Sequence, residues 1–397
     1  MSGALKRDKW ETVRLGDVCD IYTGTGFPVQ YQGEKTGVFP FYKVGDISRN
    51  VSGGNVFLGN CDNFISEDVA KILKGTIIPK DTVVFAKIGE AVKLNRRAVT
   101  VQDCLVDNNA MGVCPNQARV FLSYFYHYMC HLRLETYAES TTVPSVKKSV
   151  IEMIKIPLPP LYVQRRIADT LDKVSELITL RKTQLKKLDE LVKARFVEMF
   201  ANFIQSGNEL FLEEISIFVT VGIANSATHA YTVDGIVMLR NQNIKENYLD
   251  TKDLIYITDD FAKKYRNKQL VENDILVIRT GYPGVACLVP KKYSGCQTFT
   301  TLIVRLKDSS YAHANYVCHY INSSFGKEYV EQSKVGVAQQ NFGAKVLAKM
   351  PIVLPPLSLQ NSFASFVSSV EEAKAPIQQS LDALETLKKS LMQEYFG

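Results

Sequence analysis

The sequence predicts an α+β fold in which two α/β globules alternate with two long helices, and three observations predict it. A stretch of roughly forty residues occurs twice, each copy carries a heptad seam, and the segments before each copy repeat one order of strands, turns and helix. The first copy runs from Leu158-Pro159-Pro160-Leu161 to Glu198-Met199-Phe200, and the second from Leu354-Pro355-Pro356-Leu357 to Glu394-Tyr395-Phe396. Both ends are displaced by 196 residues. Two copies in one register without insertion mark a duplicated structural unit.

In the first copy apolar residues fall at Ile167, Leu171, Val174, Ile178, Leu185, Leu188, Val192 and Met199, with Arg181 and Arg195 on the same stripe. Alternating steps of four and three make a narrow seam of the coiled-coil kind. The second copy keeps it at Phe363, Val367, Val370, Ile377, Leu381, Leu384, Leu391 and Tyr395, interrupted by Lys374 and Lys388. A lone apolar seam is unstable in water, so the two copies are expected to pair. The proline pairs force an extended lead-in to each helix. Pro376 lies inside the second helix, where a proline kinks or breaks the backbone. Three outcomes stay open there: a helix in two pieces meeting near Ala375, basic seam residues facing acids of the partner helix, or a docked subunit covering them.

The boundaries follow as 1–157, 158–205, 206–351 and 352–397. In the first globule Trp10–Val18 reads as a short strand into a helical turn, Phe39–Ile47 as a strand ending in a polar turn, Gly75–Gly89 as strand, turn, strand and loop, and 119–134 as a helix. β-branched and aromatic enrichment supports the strands. In the second globule Phe211–Ile215 stands for Val13–Val18, Val237–Ile244 for the strand carrying Lys43, and Glu272–Gly281 for the strand carrying Lys87. Gly336–Phe342 lies 196 residues beyond the Ser140–Val146 loop.

Composition narrows the function. At 397 residues, with 46% hydrophobic residues, the chain can bury real cores, and its net charge of +6 is mildly basic. The first eight residues carry no apolar core of a signal peptide, and no apolar run reaches membrane-spanning length, so a cytoplasmic protein is expected. Eight cysteines without a paired spacing read as reduced core residues, and His127, Cys130 and His131 as one face of a packed helix. No metal site is expected. Gly24 and Gly26 lack the spacing of a phosphate loop and read as a turn. There is no Walker A sequence, no GxSxG and no HExxH, and both Pro-Pro pairs are flanked by leucine. A nuclease could use Asp81 with Lys87 or Asp274 with Arg279, but each acid sits in a turn before an apolar strand, where Asp is ordinary. The chain therefore reads as a binding protein and no enzyme, with no catalytic residues and no cofactor of its own.

Binding residues recur in pairs. A basic residue ends a strand at Lys43 and at Arg240, and a second does so at Lys87 and at Arg279, each followed by a glycine-containing loop. Lysine and arginine suit phosphates and guanine; asparagine and glutamine suit adenine. The candidate DNA-binding set is Lys43, Lys87, Arg96, Arg97, Thr141 and Ser145 in the first globule. In the second it is Arg240, Asn241, Gln242, Arg279, Thr280, Tyr282, Gln339, Gln340 and Asn341. A scaffold whose duplicated globules bind protein is the competing reading.

The layout resembles the specificity subunit of type I restriction-modification enzymes. The resemblance covers the whole chain and rests on Ile156-Pro157-Leu158-Pro159-Pro160-Leu161 with Gln164, on Pro351–Leu357 with Gln360, and on the strands Lys80–Lys87 and Glu272–Arg279. It implies that the globules are target recognition domains, each reading half of a bipartite, gapped site in double-stranded DNA. It implies that the helices pack as an antiparallel coiled coil that spaces them. It further implies two docked modification subunits that methylate adenine N6 with S-adenosylmethionine, and restriction subunits using ATP and Mg, with none of that chemistry on this chain. A helix of about 37 residues is about 55 Å long, against about 34 Å between half-sites one turn apart, so such a spacer is long enough. Lys43-Val44-Gly45-Asp46 differs from Arg240-Asn241-Gln242-Asn243, so the implied site is asymmetric.

Overall fold

The structure is a computed structural model and describes residues 10–139, 143–225, 227–307, 311–333 and 342–397. The chain forms two compact units, residues 1–183 with 378–397 and residues 184–377. Each unit thus holds one globule and a part of each long helix, so the division falls within the helices rather than at their ends.

In unit 1 the strands are β1 (Glu11–Arg14), β2 (Cys19–Thr23), β3 (Phe39–Tyr42), β4 (Phe57–Leu58), β5 (Phe64–Ile65), β6 (Val83–Ala86), β7 (Arg97–Thr100), β8 (Leu105–Val106), β9 (Ala110–Pro115) and β10 (Lys155–Leu158). They form a sheet of order β2-β9-β6-β7-β4, a second of order β5-β3-β8, and the pair β1-β10. Helices α1 (Val44–Ser52), α2 (Glu67–Ile72), α3 (Leu122–His131) and α4 (Lys148–Met153) pack around them, and α5 starts at Leu161. Strand periodicity sorts the core. Val83 and Phe85 face Tyr124, Phe125, Ile167 and Leu171 on one side, whereas Val84 faces Tyr42, Ile47 and Ile78 on the other.

The structure changes two sequence expectations here. Phe39–Ile47 does not end in a turn: α1 begins at Val44, because the carboxylates of Asp46 and Asp107 accept the N–H groups of Lys43 and Val44 at 2.7 and 3.1 Å. Such caps satisfy the orphan donors of a helix start. The first strand expected in Gly75–Gly89 is reduced to a single bridge between Ile78 and Cys104.

Unit 2 repeats the plan with β11 (Glu209–Phe211), β12 (Ser216–Val221), β13 (Tyr231–Thr232), β14 (Ile236–Leu239), β15 (Ile244–Lys245), β16 (Tyr248–Leu249), β17 (Ile255–Ile257), β18 (Ile275–Val277), β19 (Ala286–Leu288), β20 (Gln297–Thr298), β21 (Leu302–Leu306) and β22 (Pro351–Val353). The sheet orders β12-β21-β18-β19, β13-β17-β14-β20 and β11-β22 parallel those of unit 1, with β15-β16 as a separate hairpin. Its helices are α6 (Asp259–Lys264), α7 (Ala314–Asn322), α8 (Ser324–Gln332) and α9 (Ala344–Ala348), and α10 starts at Leu357. Asp81 and Asn273, at the same place before β6 and β18, both take left-handed φ angles of 64° and 67°. That conformation is one Asp and Asn tolerate.

The long helices are α5 (Leu161–Ser206, 46 residues) and α10 (Leu357–Phe396, 40 residues). In unit 1 Lys182 pairs with Glu385 at 2.7 Å and Arg181 donates to Ser380. In unit 2 Lys374 pairs with Asp189, Arg195 lies over Phe366 and Phe200 meets Phe363, so numbers rise on one helix as they fall on the other. This is antiparallel packing. α10 runs unbroken through Pro376, whose ring is exposed. Lys374 bridges Asp189 and Glu371 at 2.5 and 2.6 Å, which selects the second of the three outcomes for that residue. The seam broadens where α5 meets the globule of unit 2. Val192, Phe196 and Phe200 are buried there, a four-residue step that Met199 alone did not signal, because a helix touching two neighbours buries a wider stripe.

One side chain per unit locks globule to helix. Gln164, fully buried, accepts the N–H of Phe121 at 2.7 Å and donates to the carbonyls of Arg119 and Pro159 at 2.9 and 2.8 Å. Gln360 does the same with His313 (2.9 Å), Tyr311 (3.0 Å) and Pro355 (2.7 Å). Beside them the Tyr124 hydroxyl donates to Pro157, and Tyr316 to Val353. Gln164→Leu keeps the volume but strands a buried N–H and two carbonyls, so we expect a loss of about 3 kcal/mol of unfolding free energy. Gln360→Leu should match it in denaturant titrations. A loss below about 1 kcal/mol for both would refute this role.

His319 is buried in unit 2 between Phe196 and Phe363, and burial pushes its pKa down to about 4. The folded state therefore favours neutral imidazole, while the unfolded chain takes up the proton near pH 6.5. Stability from this group is intact above that pH and is lost as pH falls toward 4. Between pH 7 and pH 5 the wild type should lose about 2 kcal/mol more than His319→Phe. Equal losses in the two proteins would show that the imidazole is not kept neutral.

Candidate nucleic-acid interface

The strand ends that carry the paired basic residues are built alike in the two units. At the end of β3, Lys43 and Asp46 exchange bonds: Asp46 accepts the Lys43 N–H, and the Asp46 N–H returns to the Lys43 carbonyl at 2.9 Å. At the end of β14, Arg240 and Asn243 do the same at 3.0 and 2.8 Å. The second pair also matches. The Lys87 carbonyl accepts the N–H of Val146 at 2.9 Å, and the Arg279 carbonyl that of Phe342 at 3.2 Å. Val146 and Phe342 are themselves 196 residues apart.

These bonds gather part of the predicted set. In unit 1 Asp107 caps Val44 and Asn109, and the Asn109 carbonyl accepts the Lys87 N–H at 2.8 Å, so one backbone arc joins Lys43 to Lys87. Burial pushes the Asp107 pKa up. Ser145 bridges Ile88 beside Lys87, and Arg96 lies just before β7 at the end where β6 finishes. In unit 2 Asn241 donates to the Thr280 hydroxyl at 3.2 Å, which brings the Asn241–Asn243 turn to the loop after Arg279. Gln242 and Thr280 are exposed, and Tyr282 projects from that loop at 82% exposure. Arg240 donates to the Asp253 carbonyl. Thr141, Gln339, Gln340 and Asn341 lie outside the described residues.

Arg97, expected among the DNA-binding residues, is buried in the fold. Its side chain is 2% exposed, stacked over the Phe85 ring, and donates to the carbonyls of Met129, Leu132 and Arg96 and to the amide oxygen of Asn95. Burial lowers its pKa to about 10. The guanidinium caps the C-terminal carbonyls of α3, where a cation also meets the negative end of the helix, so it is not presented to a ligand. The two acids weighed for nuclease chemistry also serve the fold. Asp274, 1% exposed, accepts from Nε and from one terminal nitrogen of the Arg305 guanidinium at 2.8 and 2.7 Å. Asp81 holds its left-handed turn and accepts from Gln117.

The family model for the type I restriction modification DNA specificity domain matches residues 7–190 and again 223–386. The chain belongs to that family. The first match spans one globule and part of α5, and the second spans the other globule from after β12 together with part of α10. The MjaVIII specificity subunit of a Methanocaldococcus jannaschii type I restriction enzyme is 20% identical, with 99% of this chain and 93% of that one covered. The EcoBI specificity subunit of Escherichia coli is 21% identical over 98% and 86%. The fold resembles the crystal structure of the type I restriction-modification S subunit from M. genitalium, with a TM-score of 0.57 and 13% identity over 98% of this chain and 96% of that one. A structure from work on complex assembly and conformational transition of the type I R-M system gives 0.53 and 18% over 97% of both.

Within this family member Arg97 and Lys87 should separate cleanly. Arg97→Met should lower unfolding free energy by about 2–3 kcal/mol, from the stranded carbonyls. Lys87→Met should leave it within about 0.5 kcal/mol. Denaturant titrations of the two variants check this, and a neutral Arg97→Met would return its guanidinium to the candidate interface.

Proposed function

We propose that this chain is the non-catalytic DNA reader of a type I restriction-modification complex. Each globule reads one half of a bipartite, gapped, asymmetric site in double-stranded DNA through the loops around Lys43 and Lys87 in one, and Arg240, Asn241, Arg279 and Tyr282 in the other. α5 and α10 set the gap and dock two methyltransferase subunits that act on adenine N6; where restriction subunits join, they supply translocation and cleavage. The reader works in the cytoplasm beside the DNA. S-adenosylmethionine, ATP and Mg belong to the partner subunits.

One observation carries this reading. The same backbone bonds hold Lys43 and Arg240, and again Lys87 and Arg279, while the side chains next to them differ. A shared frame fixes where phosphates are met, and differing side chains are what two different half-sites need. The test is a genome-wide map of N6-methyladenine in cells with and without the gene, with the methyltransferase partner expressed in both. Loss of one two-part, gapped motif on deletion is the expected result. An unchanged map would remove the DNA assignments and favour a protein-binding scaffold.

A further inference from the structure

The loop between β2 and β3 is rooted as firmly as a strand yet ends in an exposed apolar tip. At its start Gly24 presses on the backbone of Asp107, where any Cβ would collide with the carbonyl oxygen, and Thr25 donates to Val106 at 2.9 Å. Next the Phe27 ring stacks on Phe41 with centroids 3.7 Å apart and planes 8° from parallel. The return limb is held by Gln32, which donates to the Phe27 carbonyl at 2.7 Å and accepts from the Lys43 ammonium, itself 5.5 Å from the Phe27 ring centre. Gly33 then donates to the buried Asn63 at 2.9 Å. Between these anchors the turn Val29–Tyr31 presents Val29 at 82% exposure, with Gln30 exposed beside it.

Unit 2 shows which part of this loop is frame and which is free to vary. Its counterpart, after β12, starts with Gly222 pressed on the Thr298 carbonyl in the same way, and Ile223 donates to Thr298 at 2.8 Å. It too carries a short helical turn, but there the residues are Thr228–Ala230, with the His229 ring against Phe261. The root is shared and the tip is not.

We infer that the Val29–Gln30 tip is a base-reading element of the first globule. The inference rests on the DNA-reading function proposed above. Lys43 joins the tip through Gln32 and Phe27, so a phosphate contact by Lys43 fixes the depth and register of the tip, which is the division of labour between backbone and base contacts. An isopropyl group meets the thymine methyl, and a primary amide pairs with the N6 and N7 edge of adenine. The tip is therefore suited to an A·T pair, and its rigidity removes the ordering cost that a mobile loop would add on binding.

The experiment is the methyladenine map of cells carrying the full modification complex with wild type, Val29→Ala, Gln30→Ala or Lys43→Ala. Val29→Ala or Gln30→Ala should relax one base position of one half-site, with about tenfold or more methylation at the wrong base. The other half-site and the gap should not change, and the purified variants should unfold at the wild-type temperature. Lys43→Ala should lower methylation at all sites and, because Lys43 also anchors the tip through Gln32 and Phe27, relax that same position. Wild-type stringency in both tip variants would overturn the inference, as would a uniform loss with no relaxed position, the signature of a phosphate or protein contact. Neither result touches the proposed function, which fails only if deleting the gene leaves the map unchanged.

Discussion

Within each unit the fold depends on one fully buried glutamine. Gln164 and Gln360 stand in the first turn of a long helix, just past a proline pair. A proline pair cannot continue a strand ladder and leaves carbonyls with no local donor. A primary amide is the side chain that can answer this corner, since it has two N–H donors and an acceptor in one plane. Both donors and the acceptor are used, one donor on the proline carbonyl and the others on the stretch leading into the globule's helix. The globule and helix are thereby set by hydrogen bonds of fixed geometry, where apolar packing alone would allow sliding. The function proposed above, in which loops reach fixed positions along a duplex, calls for that kind of joint.

Around this joint the two units have diverged in how they fill the same space. In unit 1 His127 lies against Asp172 at 2.7 Å, and Asp172 also accepts from Ser123. At the matching place in unit 2 His319 is enclosed by the aromatic rings of Phe196 and Phe363. The hairpin β15-β16 reaches inward there, with Glu246 bridging Lys193 and Lys327 and Asn247 accepting from Asn322. Duplicated frames therefore tolerate either a polar or an aromatic filling, provided each buried donor finds a partner.

Much of this was legible in the sequence, because a repeat with a fixed offset exposes whatever obeys it. The paired helices, the strands carrying Lys43, Lys87, Arg240 and Arg279, and the Asp81 and Asn273 turns are all periodic or local features. What could not be read depends on contacts between distant residues. The helix at Val44 needs Asp107, more than sixty positions later. Arg97 looked like a surface cation beside Arg96, since nothing nearby reveals that α3 lays its last carbonyls over it. Phe196 and Phe200 escaped the heptad pattern because their partners belong to the globule as well as to the other helix. In each case a tertiary partner overrode a local signal, and no window along the chain contains both members.

Under the proposed function, shared roots with unlike tips are how one frame would serve two half-sites. Phosphate contacts are alike at every step of a duplex, so elements proposed to meet them can be copied, and the bonds holding Lys43 and Arg240 match. Base edges differ from step to step, so the elements that read them must vary while staying as well placed as the frame. Glycine at the loop root achieves this. Gly24 and Gly222 let the chain cross within contact of a backbone carbonyl, where a side chain would push the loop away. Position is thus fixed by a residue with no side chain, and identity is left to residues several positions further on. On the inference drawn above, substitution at the tip would change what is read without moving where it is read, a separation of tasks that would let half-sites evolve on an unchanged scaffold.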